Sequence, residues 1–456
     1  MGRAISVANV LDGVDGLLVS SRGPRDATFE RGSIDSRESL AGDLFFALRG
    51  ERSDGHDFVS QAISAGAAGA VIERPVDFPD SAPAFHVSSS LGALQRLAEW
   101  WRARHNVRVI GVTGSVGKTT TKELIASVLA KKYDVLKSAA NLNTEIGIPL
   151  TLLQLRGEHD LAVLEMAMYQ RGDIALLARI AAPQVGVVMN VGPVHLERVG
   201  YLGGIVAAKA ELVEALPPDG LAVLNGDDAR VAGFASRTRA RGVYFGLSPQ
   251  CQVRAEDVRS HGLEGISFRL VTEAGDAMVS CPLPGKHHVY PALAAAAVAL
   301  HEGMSLAAVA HALGEASANL RLTQRAGPNG STIIDDSYNA SPASMLAALD
   351  LLGELAGRRI ALLGGMRELG VATAEANRQV GARAAERCEL LYVAGGEARE
   401  IGAAAESAGL RDVRYVDSAE AASEALLREL REGDFLLIKA SRAIGLEVVA
   451  SELVVR

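Results

Sequence analysis

The sequence predicts an α/β chain of several domains built on parallel sheets. Three observations carry this. Short apolar runs alternate with helical stretches in two separate series, one in the middle of the chain and one after about residue 320. That rhythm marks strands joined by crossover helices. A glycine-rich corner, GVTGSVGKTTTKE at 111–123, links an apolar strand to a helix. Aromatic residues make up only 4% of the 456 residues while hydrophobic residues make up 48%, which suits layered α/β domains better than an all-β sandwich. At ~100–200 residues per domain, the length allows two to four.

The opening segment mixes short strand-like runs with turns, as in GDLFFALRGERSDGHDFV and AGAVIER. Pro75, Pro79 and Pro83 then interrupt the chain, and a boundary is placed at 86. LGALQRLAEWWRARHN follows with apolar spacing of three and four, a helical pattern. The middle segment, 87–319, predicts strands at 107–112, 161–165, 185–190 and 221–225, with helices at 118–131, 171–181, 202–216 and 291–302. Residues 250–284 alternate more and predict an antiparallel edge. From 320 to 456, STIIDD, RRIALLGG, CELLYVAGG, VRYVD and DFLLIKA predict a second strand–helix series, the pattern of a dinucleotide-fold-like domain.

Charge and composition exclude several classes. The formal charge is −8 and no basic run is present, so nucleic acid is not expected as a partner. Cys251, Cys281 and Cys388 are far apart and odd in number, which argues against a disulfide framework or zinc site and for a reducing compartment. The N-terminus lacks the basic head and apolar run of a secretory signal. The alanine-rich run near 291–302 is too short to span a bilayer and reads as a buried helix. A cytoplasmic, monomeric protein without membrane insertion is expected.

The corner at 111–123 is a phosphate-binding pattern. Glycines let backbone N–H groups approach phosphate oxygens, and the helix beginning near Lys118 turns its positive end toward them. The spacing G-x-x-x-x-G-K-[ST] fails because residue 112 is valine. What stands is Gly114-Ser115-Val116-Gly117-Lys118-Thr119-Thr120. In this pattern Lys118 contacts the β/γ-phosphates of ATP and Thr119 ligates Mg²⁺. Glu165, Asn190 and His195 lie at or just beyond the ends of neighbouring strands, where open α/β sheets bind ligands. Glu165 reads either as a solvated strand end or as a second Mg²⁺ anchor, and His195 is open in the same way. Lys209, within AAKAEL, reads alone as a surface lysine in helical ion pairs.

Over nearly the whole chain the residues resemble the Mur ligase family, and within it the branch that adds D-alanyl-D-alanine to a UDP-N-acetylmuramoyl tripeptide. GSIDSRESLAGDLFFALRGERSDGHDFV is similar to the uridine-nucleotide-binding opening of that branch. GVTGSVGKTTTKE, NLNTEIGIPLTLL, EMAMYQRGDI, NVGPVHLERVG and AKAEL follow in order, and IIDDSYNASPASM is the most discriminating. The Asp-Asn-Pro-Arg box of the tripeptide-forming sister enzymes is absent.

The resemblance implies three domains: a UDP-muramoyl-peptide-binding domain at 1–86, a P-loop ATP-binding domain at 87–319 and a Rossmann-like domain at 320–456. It implies an ATP-dependent ligase working through an acyl phosphate, with Mg²⁺ near Thr119, Glu165 and His195. It makes Lys209 a carbamylated lysine, puts Asp336 on the ATP ribose and brings Arg321 toward the phosphates. It assigns Asn339 and Ser341 to the dipeptide, Asp35, Ser36 and Arg37 to the uridine site, and Asn141 to the substrate side.

Four departures from the family pattern stand out. His287-His288-Val289-Tyr290-Pro291 replaces His-Asn-x-x-Asn, losing both asparagines of the adenine contact. Gly365 and Arg367 replace a usual Asp and Leu, Asn377 replaces a common His, and Ala440-Ser441-Arg442 replaces Gly-Ser-Arg. Three other readings compete with this one. One is a different amide ligase of the superfamily, such as a folylpolyglutamate synthase, against which DDSYNASP and the uridine-type opening speak. Another is a nucleotide-binding partner without turnover, supported only by the adenine-site departures. A GTPase switch would need guanine contacts and switch loops that the sequence lacks.

Overall fold

A computed structural model describes residues 4–139, 141–194, 196–316 and 322–454. Three large sheets organise the chain in sequence order. The first has five strands, ordered Leu18–Arg22, Ala84–Val87, Gly69–Ile72, Asp43–Phe46 and Arg31–Ser33; only the first pair is antiparallel. The helix Ser90–Arg102 then leads into the central sheet. Ser89 caps its start by accepting from the Gly92 amide, and Ala93, Leu94, Leu97, Ala98 and Trp101 form its buried stripe.

The central sheet has nine strands. Its parallel part runs Arg241–Gly246, Leu221–Asn225, Val185–Val188, Arg108–Thr113, Leu161–Glu165 and Val135–Lys137. Val253–Ser260 joins Arg241–Gly246 in parallel, and Ile266–Thr272 and Gly275–Cys281 follow as antiparallel strands, in the segment whose alternation predicted such an edge. The strand predicted at 185–190 ends at Val188, because Asn190 turns away to bind the phosphate-loop backbone. The buried, alanine-rich helix Val289–His301 packs against the helix Lys118–Leu129. That packing supports a helix whose first turn contains three threonines, which are weak helix formers. No helix among the described residues is long and apolar enough to cross a membrane.

The third sheet has six strands, ordered Thr323–Ala326, Thr332–Asp335, Phe435–Lys439, Arg359–Gly364, Leu390–Ala394 and Val413–Val416. All but the first pair are parallel.

The cores do not divide evenly among the sheets. One continuous apolar cluster runs from Ile5 and Phe29 in the first domain, through Leu94 and Trp101, to Leu164, Leu212 and Phe234 in the second. The C-terminal sheet carries its own two cores, one on each face. Cys251, Cys281 and Cys388 are free and buried, and burial pushes the Cys281 and Cys388 thiols up to about 12.

Candidate active site

The strand Arg108–Thr113 lies between Leu161–Glu165 and Val185–Val188, with Glu165 opposite Val112 and Val188 opposite Thr113. Three strand ends are therefore level, and the loop between them is tied down on both sides. The Ser115 amide donates to the Asn190 carbonyl at 3.0 Å. The Asn190 side chain accepts from the Val116 amide (2.8 Å) and donates to the Val116 carbonyl (2.9 Å). The Gly192 amide donates to the Ser115 hydroxyl at 2.8 Å. Gly117 precedes the helix with φ of 84°, a left-handed conformation that suits glycine. A Cβ on Gly114 would sit 2.9 Å from the Met189 Cβ, so this position is closed to larger residues by contact.

Lys118 Nζ donates to the Gly114 carbonyl at 2.9 Å and so curls over the loop. The Thr119 hydroxyl donates to Glu165 Oε2 at 2.8 Å, and the Asn143 side-chain Nδ2 donates to Glu165 Oε1 at 2.9 Å. Glu165 is 1% exposed, so it is no solvated strand end. Its amide donates to the Ser138 hydroxyl, and the Ser138 carbonyl accepts from the buried Lys122 at 2.6 Å. A hydroxyl and an oriented carboxylate are hard oxygen donors of the type Mg²⁺ takes. Among the described residues no cluster of three His, Cys, Asp or Glu side chains could hold a metal. His195 and Arg321 lie outside the described residues.

Lys209 is 2% exposed, which overturns the surface reading. Burial, and then the charge of Lys118, hold its amine well below the usual lysine pKa. It does not line the cleft itself.

The cleft has a volume of about 1470 Å³ and is walled by two domains. Ser115, Val116, Gly117, Lys118, Thr119, Thr120 and Glu165 form one side; Asp336, Asn339 and Ser341 belong to the other. Ser341 caps the helix Pro342–Gly353, accepting from the Ser344 amide. Asp336 is paired with Lys439 at 2.5 Å.

Asp35, Ser36 and Arg37 are not brought to this cleft. They sit in the first domain after the strand Arg31–Ser33, where Arg37 beside Asp35 holds that carboxyl at about 2. Ser36 donates to Gln61 Oε1. Asn141 is exposed and also stands outside the cleft lining.

His287, His288, Pro291, Arg367 and Asn377 among the departures line the cleft, while Gly365 and Ala440 do not. His288 is buried, and its Nδ1 lies 2.6 Å from the Pro284 carbonyl, which can only accept. Burial lowers its pKa to about 4, so the ring is neutral at neutral pH. Gly365 leaves room for Glu397: a Cβ there would meet the Glu397 Cβ at 3.1 Å and its Oε2 at 3.2 Å. Arg367 pairs with the same Glu397 at 3.1 Å. Asn377 is 1% exposed, and its Nδ2 faces the Glu397 carbonyl at 3.5 Å.

Sequence reasoning missed Asn143 and Lys439. Asn143 gave only its place in NLNTE. Lys439 gave a better signal, a charged residue closing the apolar strand FLLIK at its carboxyl end.

Comparison with known proteins decides the family. The Mur ligase middle domain matches residues 112–299, the Mur ligase glutamate ligase domain 320–442, and the Mur ligase family catalytic domain 31–102. UDP-N-acetylmuramoyl-tripeptide–D-alanyl-D-alanine ligase of Escherichia coli K12 is 34% identical, over 99% of this chain and 98% of its own. The chain belongs to the Mur ligase family. The Synechocystis ligase of the same name is 39% identical, over 92% of this chain and 90% of its own. Among solved structures, MurF from Acinetobacter baumannii aligns with a TM-score of 0.88 at 29% identity, covering 99% of this chain and 98% of that one. The MurF ligase of Thermotoga maritima in complex with ADP aligns at 0.80 with 30% identity, covering 93% and 97%. The three-domain α/β architecture is that of these Mur ligases.

Proposed function

We infer that this chain is the ATP-dependent ligase that joins D-Ala-D-Ala to the terminal carboxylate of a UDP-N-acetylmuramoyl tripeptide in peptidoglycan precursor synthesis. The observation that carries the reading is the Thr119–Glu165 contact beneath the phosphate loop, in a cleft whose far wall is the DDSYNAS segment. The full-length likeness to ligases of that name supports it.

A carboxylate is a poor acylating agent, so it must be activated. A tripeptide carboxylate oxygen attacks the γ-phosphorus of ATP, and ADP leaves. The amine of D-Ala-D-Ala then attacks the acyl carbon. The tetrahedral intermediate expels phosphate, the nitrogen loses its proton and the amide remains. Both steps depend on positioning and charge neutralisation more than on covalent help from the protein.

The backbone of Gly114–Thr120 would cradle the phosphates, with Lys118 on the β/γ oxygens and Arg321 approaching from the third domain. Thr119, Glu165 and His195 would hold Mg²⁺, which supplies charge neutralisation to the transferring phosphoryl group. Asn143 keeps the Glu165 carboxylate turned toward Thr119. Lys209 suits carbamylation because its buried amine is held neutral: Nζ attacks carbon dioxide, an N–C bond forms and one proton leaves. The resulting anion would face the Lys118 charge favourably. Asp336 would take the ribose, and Asn339 and Ser341 the dipeptide. Asp35, Ser36 and Arg37 would take the uridine, with Asn141 on the substrate side.

In this reading residues 1–86 bind the UDP-muramoyl peptide, 87–319 bind ATP and 320–456 close over it. The enzyme is monomeric and cytoplasmic, where its nucleotide substrates are made. Phosphate release from ATP with Mg²⁺, UDP-muramoyl tripeptide and D-Ala-D-Ala, omitting each in turn, is the test. Release that needs both substrates, with a product heavier by the dipeptide, is expected. ATP binding without release on either form of the tripeptide would point to another acceptor.

A further inference from the structure

We propose that Lys439 is a positioning residue that holds the nucleotide-facing and dipeptide-facing parts of the 336–341 segment in one arrangement. The proposal rests on the functional reading above for what binds on each side.

Lys439 closes the strand Phe435–Lys439, and its side chain is 2% exposed. Its ammonium lies 2.5 Å from Asp336 Oδ2, 2.9 Å from the Asn339 carbonyl and 3.5 Å from the Asp336 carbonyl. A lysine has three N–H donors. All three contacts lie in the segment that follows the neighbouring strand Thr332–Asp335. Its two close contacts are protein groups, so Lys439 acts on ligands through Asp336 and Asn339.

Two consequences follow from charge and geometry. Asp336 is a carboxylate, 17% exposed, on the wall of a cleft that must accept the polyphosphate of ATP. Lys439 offsets that charge. Removing the lysine takes away a positive charge held against the Asp336 carboxylate at 2.5 Å. Lys439 also fixes the Asn339 carbonyl, which sets the entry of the chain into the Ser341 cap of the next helix. One ammonium from the neighbouring strand thus sets two subsites at once.

The test is a double-mutant cycle on the full-length enzyme. Lys439→Met is expected to raise KM about tenfold or more for both ATP and D-Ala-D-Ala. The Kd for UDP-muramoyl tripeptide should stay within about twofold, because that ligand belongs to the first domain. Lys439→Met combined with Asp336→Asn should show an ATP KM no worse than Asp336→Asn alone, since the charge that needed offsetting is gone. Multiplying effects, or a parallel loss of tripeptide binding, would overturn the proposal. If Lys439→Met melts below the assay temperature, Lys439→Gln keeps two donors without charge and carries the same cycle. Calorimetric ATP binding without other substrates separates the two ideas. Wild-type protein that binds ATP but never ligates would refute the functional reading, and the cycle would then be read on ATP affinity alone.

Discussion

Lys209 concentrates the residue-scale physics. A buried amine whose pKa lies below its unfolded value binds fewer protons in the native state than in the unfolded chain. Stability therefore rises with pH between the native pKa and the unfolded one. In buffer free of carbon dioxide, Lys209→Met should melt roughly 2–4 °C higher at neutral pH, and the gap should shrink as pH approaches 10. A gap that widens with pH would refute the neutral buried amine. For catalysis, Lys209→Ala should lose activity that bicarbonate does not restore but that short carboxylic acids partly rescue; full activity would remove the carbamate role. Asn143 offers a second test. Asn143→Leu strips one oxygen of Glu165 of its donor, and the Mg²⁺ concentration for half-maximal activity should rise roughly 10- to 100-fold. Titration of activity against Mg²⁺ reads this directly.

At the scale of elements, the phosphate loop is held by contact at one glycine and by conformation at another. Gly114→Ala forces a Cβ against Met189, and overpacking of this kind costs roughly 1–3 kcal/mol, seen in denaturant unfolding together with a raised ATP KM. Gly117→Ala meets no neighbour but must hold φ of 84°, which costs roughly 1–2 kcal/mol. The elements themselves were legible in the sequence because strand and helix periods differ, and the loop because its glycines and lysine stand in one short run. Lys209 was not. Its helix, Leu202–Glu214, is apolar on several sides, with Ile205, Ala208, Ala210, Leu212 and Val213 all buried. Such a helix has no solvent face for a lysine, and a pair rule for exposed helices misreads it. Asn143 and Lys439 were hidden for another reason. Lys439 meets Asp336 across 103 residues of sequence, and a single chain carries no signal for which strand ends become neighbours.

For the whole molecule, separate ligands on separate domains predict separable losses. Lys118→Ala should abolish ATP-dependent ligation while UDP-muramoyl tripeptide binding by calorimetry stays largely intact. Joint loss of both would count against the assignment of ligands to domains. The shared core adds a consequence for heat. Ile5 and Leu212 belong to one apolar cluster, whereas Leu363 and Leu436 belong to others. Relative motion of the first two domains would break that packing, whereas the C-terminal sheet keeps its own cores. Scanning calorimetry of the ligand-free protein should resolve two endotherms, the larger from the fused pair. A non-hydrolysable ATP analogue bound across the cleft should draw them together into one.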